Sequence, residues 1–177
     1  MRHLGHVAPV LLVLASALAS SSAQATAEGV GLGMAIGADY TNADVRLANT
    51  STLERQGRTS LAWGFFVDIP LLPTFYISPA AMLYELELNE GTKTAITDID
   101  LNFKFIVPLN RLRLGAGITA GLTTGLGDYL GHYGVLGYGA LNLVSNIDAF
   151  VLVQYKELRH DRDINNIHAF VGGNFRF

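Results

Sequence analysis

Side chains able to do chemistry are sparse in this chain, and the densest group is Asp98-x-Asp100-x-Asn102, with Lys104 following at the same spacing. Alternate carboxylates and an amide open a calcium-binding loop. The glycine that lets such a loop coil is missing here, and Lys104 intrudes. On an extended strand alternate residues share one face, so these four side chains point the same way. Inward acids meeting Lys104, Arg113 on the following segment, Lys156 and Arg176 would form an ion-pair network, because charges withdrawn from water must be paired. No metal and no cofactor are expected.

Outside the amino-terminal run the histidines are His132, His160 and His168. A Ser-His-acid relay needs one of them beside a serine that substrate can reach. His132 and His160 fall in stretches expected to be loops, near Asp128 and Asp161, and His168 lies on the inward face of the last segment. Ser60 also points inward in the expected register, while Ser78 and Ser145 lie toward the other end. Catalysis is therefore not expected.

The element that organises these residues is the chain end, 167–177. One register holds Ile167, Ala169, Val171, Gly173, Phe175 and Phe177; the other holds His168, Phe170, Gly172, Asn174 and Arg176. Strict period-two alternation predicts a strand with one greasy face and one mostly polar face. At the other end, Arg2 precedes an apolar run from Val7 to Ala19, then serines and Ala23-Gln24-Ala25. This has the form of a secretory signal peptide covering 1–25.

Removal of 1–25 leaves 11 basic and 15 acidic residues and no cysteine. Such a balance argues against nucleic acid as a partner, and no disulfide can staple the domain. No later run approaches 18 apolar residues, which excludes an α-helical membrane span. Half the residues are nonetheless hydrophobic, spread in alternation rather than in blocks. Transmembrane barrels carry that signature, because lipid-facing and lumen-facing side chains alternate.

Gly172, Phe175 and Phe177 resemble the carboxy-terminal assembly signal of bacterial outer-membrane barrels, with Phe170 where a polar residue is commoner. The stretch 26–177 as a whole is similar to the small eight-stranded barrels of the OmpA/OmpX type. The resemblance implies an all-β, eight-stranded antiparallel up-and-down transmembrane β-barrel in the outer membrane of a Gram-negative cell, reached through the periplasm. It also implies contact with outer-membrane lipids and lipopolysaccharide, and folding by the barrel assembly machinery.

Alternation places strands at 29–40, 60–69, 75–88, 95–107, 112–122, 133–144, 149–158 and 167–177. Registers of the third and sixth stay open, and a bulge is expected near Pro79. Short turns follow strands 2, 4 and 6, and longer polar loops follow 1, 5 and 7, as in barrels with short periplasmic turns. Phe75, Phe105, Phe150, Phe175 and Phe177 are expected to form one aromatic girdle, and Tyr40, Trp63, Tyr84, Tyr133 and Tyr155 the other. The longest loop, 41–59, carries Arg46, Glu54, Arg55 and Arg58 and would meet an unidentified extracellular partner. A structural or adhesive role without catalysis is the expectation, with a lipid A-modifying barrel enzyme or a narrow small-solute channel as alternatives.

Overall fold

The computed structural model describes residues 29–46, 53–89, 92–126, 129–159 and 164–177. The expected signal peptide and His160 fall outside them. The described residues form eight strands: β1 (Gly31–Arg46), β2 (Leu53–Leu72), β3 (Phe75–Asn89), β4 (Thr92–Leu109), β5 (Leu112–Thr124), β6 (Leu130–Val144), β7 (Ile147–Leu158) and β8 (Ile164–Arg176). Each pairs antiparallel with the next, and β1 pairs with β8 from Gly31↔Arg176 to Ala43↔Ile164, so the sheet closes into a barrel. Closure leaves the barrel wall without an unpaired edge.

The two faces of the strands meet different surroundings. Outward residues are apolar up to a level line drawn by Tyr40, Leu61, Leu83, Leu122, Tyr133, Tyr155 and Ile167, and beyond it Asn42, Thr59, Glu85, Thr124, Glu157 and Asn165 follow in the same registers. Large side chains stand bare below the line: Met34 is 70% exposed, Ile36 55% and Val171 56%. On β8 the belt runs from Ile167 to Phe177, ten steps of about 3.3 Å that at barrel tilt rise roughly 25 Å. That is the height of the apolar band of an outer-membrane barrel, and an apolar surface so extensive would not stay in water.

The inward faces are packed. Phe66, Tyr76, Met82, Leu136, Tyr138, Phe150, Leu152 and Phe170 fill the lower and middle interior, each at most 4% exposed. Eight strands enclose a lumen that side chains fill. Glycine supplies the room for the rings: a Cβ on Gly33 would stand 2.2 Å from the Phe66 ring, and one on Gly172 2.6 Å from the Phe150 ring.

Several expectations are corrected. The loop at 41–59 is mostly strand, because β1 and β2 stay paired through Arg46↔Leu53, and only 47–52 lie outside the description. No bulge sits at Pro79: β3 keeps one register against β4 from Phe75↔Phe105 to Glu87↔Lys93, and irregularities fall at Glu87/Asn89, Pro70/Leu72 and Asn142/Val144 instead. Even-numbered residues of β3 and β6 face inward, including Leu86, so the mixed hydrophobicity of β3 reflects an apolar interior rather than a register slip. Tyr84 and Phe150, each 3% exposed, belong to that interior and not to the girdles. His132 is on β6, facing inward at 3% exposure, rather than in a loop.

Candidate functional site: the lumen network and the rim

The interior charges gather into clusters stacked along the barrel. In the outer one, the Lys156 ammonium lies 2.9 Å from Asp98 Oδ2 and 2.7 and 3.0 Å from the two oxygens of Asp100. His132 Nε2 meets Asp100 Oδ1 at 2.6 Å, its Nδ1 meets Thr123 Oγ1 at 2.8 Å, and that hydroxyl donates to Asp98 Oδ1 at 2.7 Å. The imidazole thus bridges Asp100 and Thr123, and the Thr123 hydroxyl carries the chain on to Asp98. Tyr84 adds a third donor to Asp98 at 3.3 Å. All these side chains are buried, and every carboxylate oxygen of Asp98 and Asp100 is satisfied, which is the condition for tolerating them there.

The expected partners of these acids lie elsewhere. Lys104 is four residues from Asp100 along β4, about 13 Å at strand rise, and pairs across the lumen with Asp68 at 2.8 Å. Ser78 and Asn174 also donate to Asp68, and the ammonium sits 4.3 Å over the Phe66 ring and 5.0 Å over Tyr138. Arg176 and Arg113 converge on Asp148 at the inner end, at 2.6 and 3.8 Å, with Asn142 donating to the same carboxylate. Asn102 accepts from Gln154 and donates to the Ser78 carbonyl, so it takes part as an amide and not as a calcium ligand. Of the expected pairs, those joining Lys156 to Asp98 and Asp100 form. Asp39, Asp68 and Asp148 were missed as network acids, although inward parity on their strands would have found them.

Asp98, Asp100 and His132 offer ligand atoms within 4.8 Å of one another, a spacing that suits a metal ion. The Lys156 ammonium already holds the central place among them. A metal there would have to displace a cation that the chain itself supplies.

Above this cluster Ala43, Val45, Leu86, Ile96, Leu158 and Ile164, none more than 6% exposed, cap the lumen. The β1–β2 ribbon supplies Ala43 and Val45 of this cap and also reaches across to β3. The β2–β3 ladder ends at Trp63↔Leu83, yet Arg46 at the ribbon tip pairs with Asn89 of β3. Arg58 spans the gap to Glu87 at 3.6 Å, and the Glu85 amide donates to the Ser60 hydroxyl at 3.4 Å. Glu54, Arg55 and Arg58 are exposed on this ribbon, Arg55 lying 3.9 Å from Asp44. Arg46 contributes its backbone; its side chain lies outside the described residues. Around the rim, Glu157 is clamped by the hydroxyls of Tyr133 and Tyr155 at 2.7 and 3.0 Å, which holds both rings at the outer aromatic line.

No protein-family profile matches the chain, and no curated protein matches it. Among solved structures, Neisserial surface protein A superposes with a TM-score of 0.63 at 13% identity, over 85% of this chain and 100% of that one. The chain folds as a small eight-stranded outer-membrane β-barrel. Two further similar structures are Ail, the attachment invasion locus protein of Yersinia pestis (13% identity, TM-score 0.43, 84% and 99% covered), and the outer membrane protease OmpT from Escherichia coli (11%, 0.47, 89% and 100%). At these identities the likeness is one of fold.

Within this barrel the terminal residues divide into two kinds. Phe175 and Phe177 face outward at 43% and 70% exposure, their rings edge to face at 5.0 Å. Gly172 faces inward beneath Phe150, and a Cβ there would also stand 1.9 Å from the Met34 carbonyl. Gly172→Ala is therefore expected to lower barrel stability by about 1–3 kcal/mol through overpacking, read as an earlier urea midpoint in lipid vesicles. An unchanged midpoint would leave the glycine with no packing role.

Proposed function

We propose that the protein is an integral outer-membrane protein of a Gram-negative bacterium with a structural and adhesive role and no catalysis, exported through the periplasm behind a cleaved signal peptide. The observation that carries this is the β1–β2 ribbon. It rises past the outer aromatic line, contributes Ala43 and Val45 to the cap over the lumen and presents Glu54, Arg55 and Arg58 to the outside. A wall packed with Phe66, Phe150, Phe170 and paired charges anchors that surface and supports no solute path. His132 and His168 lie sealed inside, where no lipid or peptide substrate reaches them, which favours binding over chemistry. Outer-membrane lipid and lipopolysaccharide surround the belt, and the assembly machinery reads Gly172, Phe175 and Phe177.

The test is retention of cells expressing the barrel on host-cell or matrix-coated surfaces under flow. Replacing Glu54, Arg55 and Arg58 together with serine is expected to cut retention several-fold at equal surface level and unchanged heat-modifiable mobility. Equal retention would sink the adhesive role. Discrete conductance in planar bilayers would favour the channel, and altered lipid A acylation the enzyme.

A further inference from the structure

Next to the satisfied cluster around Lys156 lies a second group of buried polar side chains whose capacity is not used. Asp39 on β1 and His168 on β8 face each other in register, and Gln154 of β7 stands opposite His168 on its other side. Asn166, one inward step along β8, is opposite Thr41. All are at most 2% exposed. Asp39 Oδ2 accepts from Thr41 at 2.6 Å, but Asp39 Oδ1, both nitrogens of His168 and Gln154 Oε1 close no hydrogen bond, and the Asn166 amide, beside Asp39, closes none of good geometry. Buried polar atoms are almost always partnered, so this concentration on three adjacent strands points to something bound among them.

The spacing says what kind of thing. Asp39 Oδ1 and His168 Nε2 are 3.3 Å apart and off the line a ring N–H would need. Ligand bonds of about 2.0–2.2 Å at a tetrahedral angle put two ligand atoms roughly 3.4 Å apart. Charge agrees: Asp98 and Asp100 are in direct contact with the Lys156 ammonium, whereas the hydrogen bond to Asp39 comes from the neutral Thr41 hydroxyl. A lone buried carboxylate is costly without a cation.

We propose that the outer lumen holds a zinc-class divalent transition cation bound by Asp39 Oδ1 and His168 Nε2, with the Asn166 amide oxygen as third ligand and water completing the shell. Carboxylate plus imidazole suits this class of ion, whereas calcium and magnesium want oxygen alone. The Tyr84 ring, edge-on to His168 at 5.0 Å between centroids, fixes the imidazole plane. The cap above means that the ion enters before the barrel closes. Nothing in this depends on the adhesive role.

The barrel is refolded in detergent micelles with zinc alone present, passed through a desalting column, and assayed for metal and for heat-modifiable mobility. About one zinc per folded barrel is expected, falling at least tenfold in folded Asp39→Asn and His168→Gln and retained in His132→Gln. Cobalt in place of zinc should give the visible absorption of a four-coordinate ion in the unaltered protein, a reading that needs no variant to fold. Metal-free folded protein overturns the site. So does zinc that survives folded Asp39→Asn and His168→Gln, since it would then sit elsewhere.

Discussion

Replacing Lys156 with methionine is expected to destabilise the barrel by about 3–5 kcal/mol, because it leaves Asp98 and Asp100 buried side by side without their ammonium. Lys156 makes three contacts with the two carboxylates and is fully enclosed, so neither water nor a neighbouring cation can replace it without opening the cap. The triple variant Asp98→Asn, Asp100→Asn, Lys156→Met should recover much of the loss. It removes charges of both signs and leaves amides that Thr123, Tyr84 and His132 can still bond. Urea unfolding in vesicles measures both through Trp63, the one tryptophan and an outward-facing reporter at 48% exposure. A single variant within about 1 kcal/mol of the parent would mean that the acids are neutralised by protons and that the pair is not what holds this part of the lumen.

Deleting Phe177 should have effects that differ sharply between test tube and cell. Its ring touches Phe175 alone among the aromatic side chains described, it is 70% exposed, and its amide makes a bond of 3.0 Å to the Val30 carbonyl. Little interior packing is lost, so refolding into pure lipid vesicles should proceed with stability within about 1 kcal/mol of the parent. In cells, if the carboxy-terminal aromatics are read during assembly, the heat-modifiable form in the outer membrane should fall at least tenfold. Normal insertion in cells would remove Phe177 from the assembly signal. Equal failure in pure lipid would make it a structural residue instead.

Alternation alone placed all eight strands, and for β1, β2, β4, β5 and β8 it also assigned the faces, because lipid outside and packed side chains inside impose a period of two on every strand. It misjudged extents where the surroundings change. Past the aromatic line β1 and β2 run on as a water-facing ribbon, polar on the outside and rich in Asn, Thr and Arg, and such a composition is shared by loops and by paired strands outside a membrane. The bulge expected near Pro79 has a related cause: apolar residues of β3 fall on both parities, and a sequence cannot tell a register slip from an interior that is apolar as well as the lipid face.

The amino-acid sequence by itself determined the barrel, the inward placement of Asp98, Asp100, Lys104, Arg113 and Arg176, and the outward terminal phenylalanines, since each follows from parity along one strand. Which charges meet was decided by the closed barrel. Parity says that a side chain enters the lumen, but its partner is set by the stagger of eight strands and by the residues that cross the interior. Lys104 therefore meets Asp68, 36 positions away, and Lys156 meets Asp98, 58 positions away. The unsatisfied group of Asp39, His168 and Asn166 could emerge only there as well, because it joins the first strand to the last across the seam that closes the barrel.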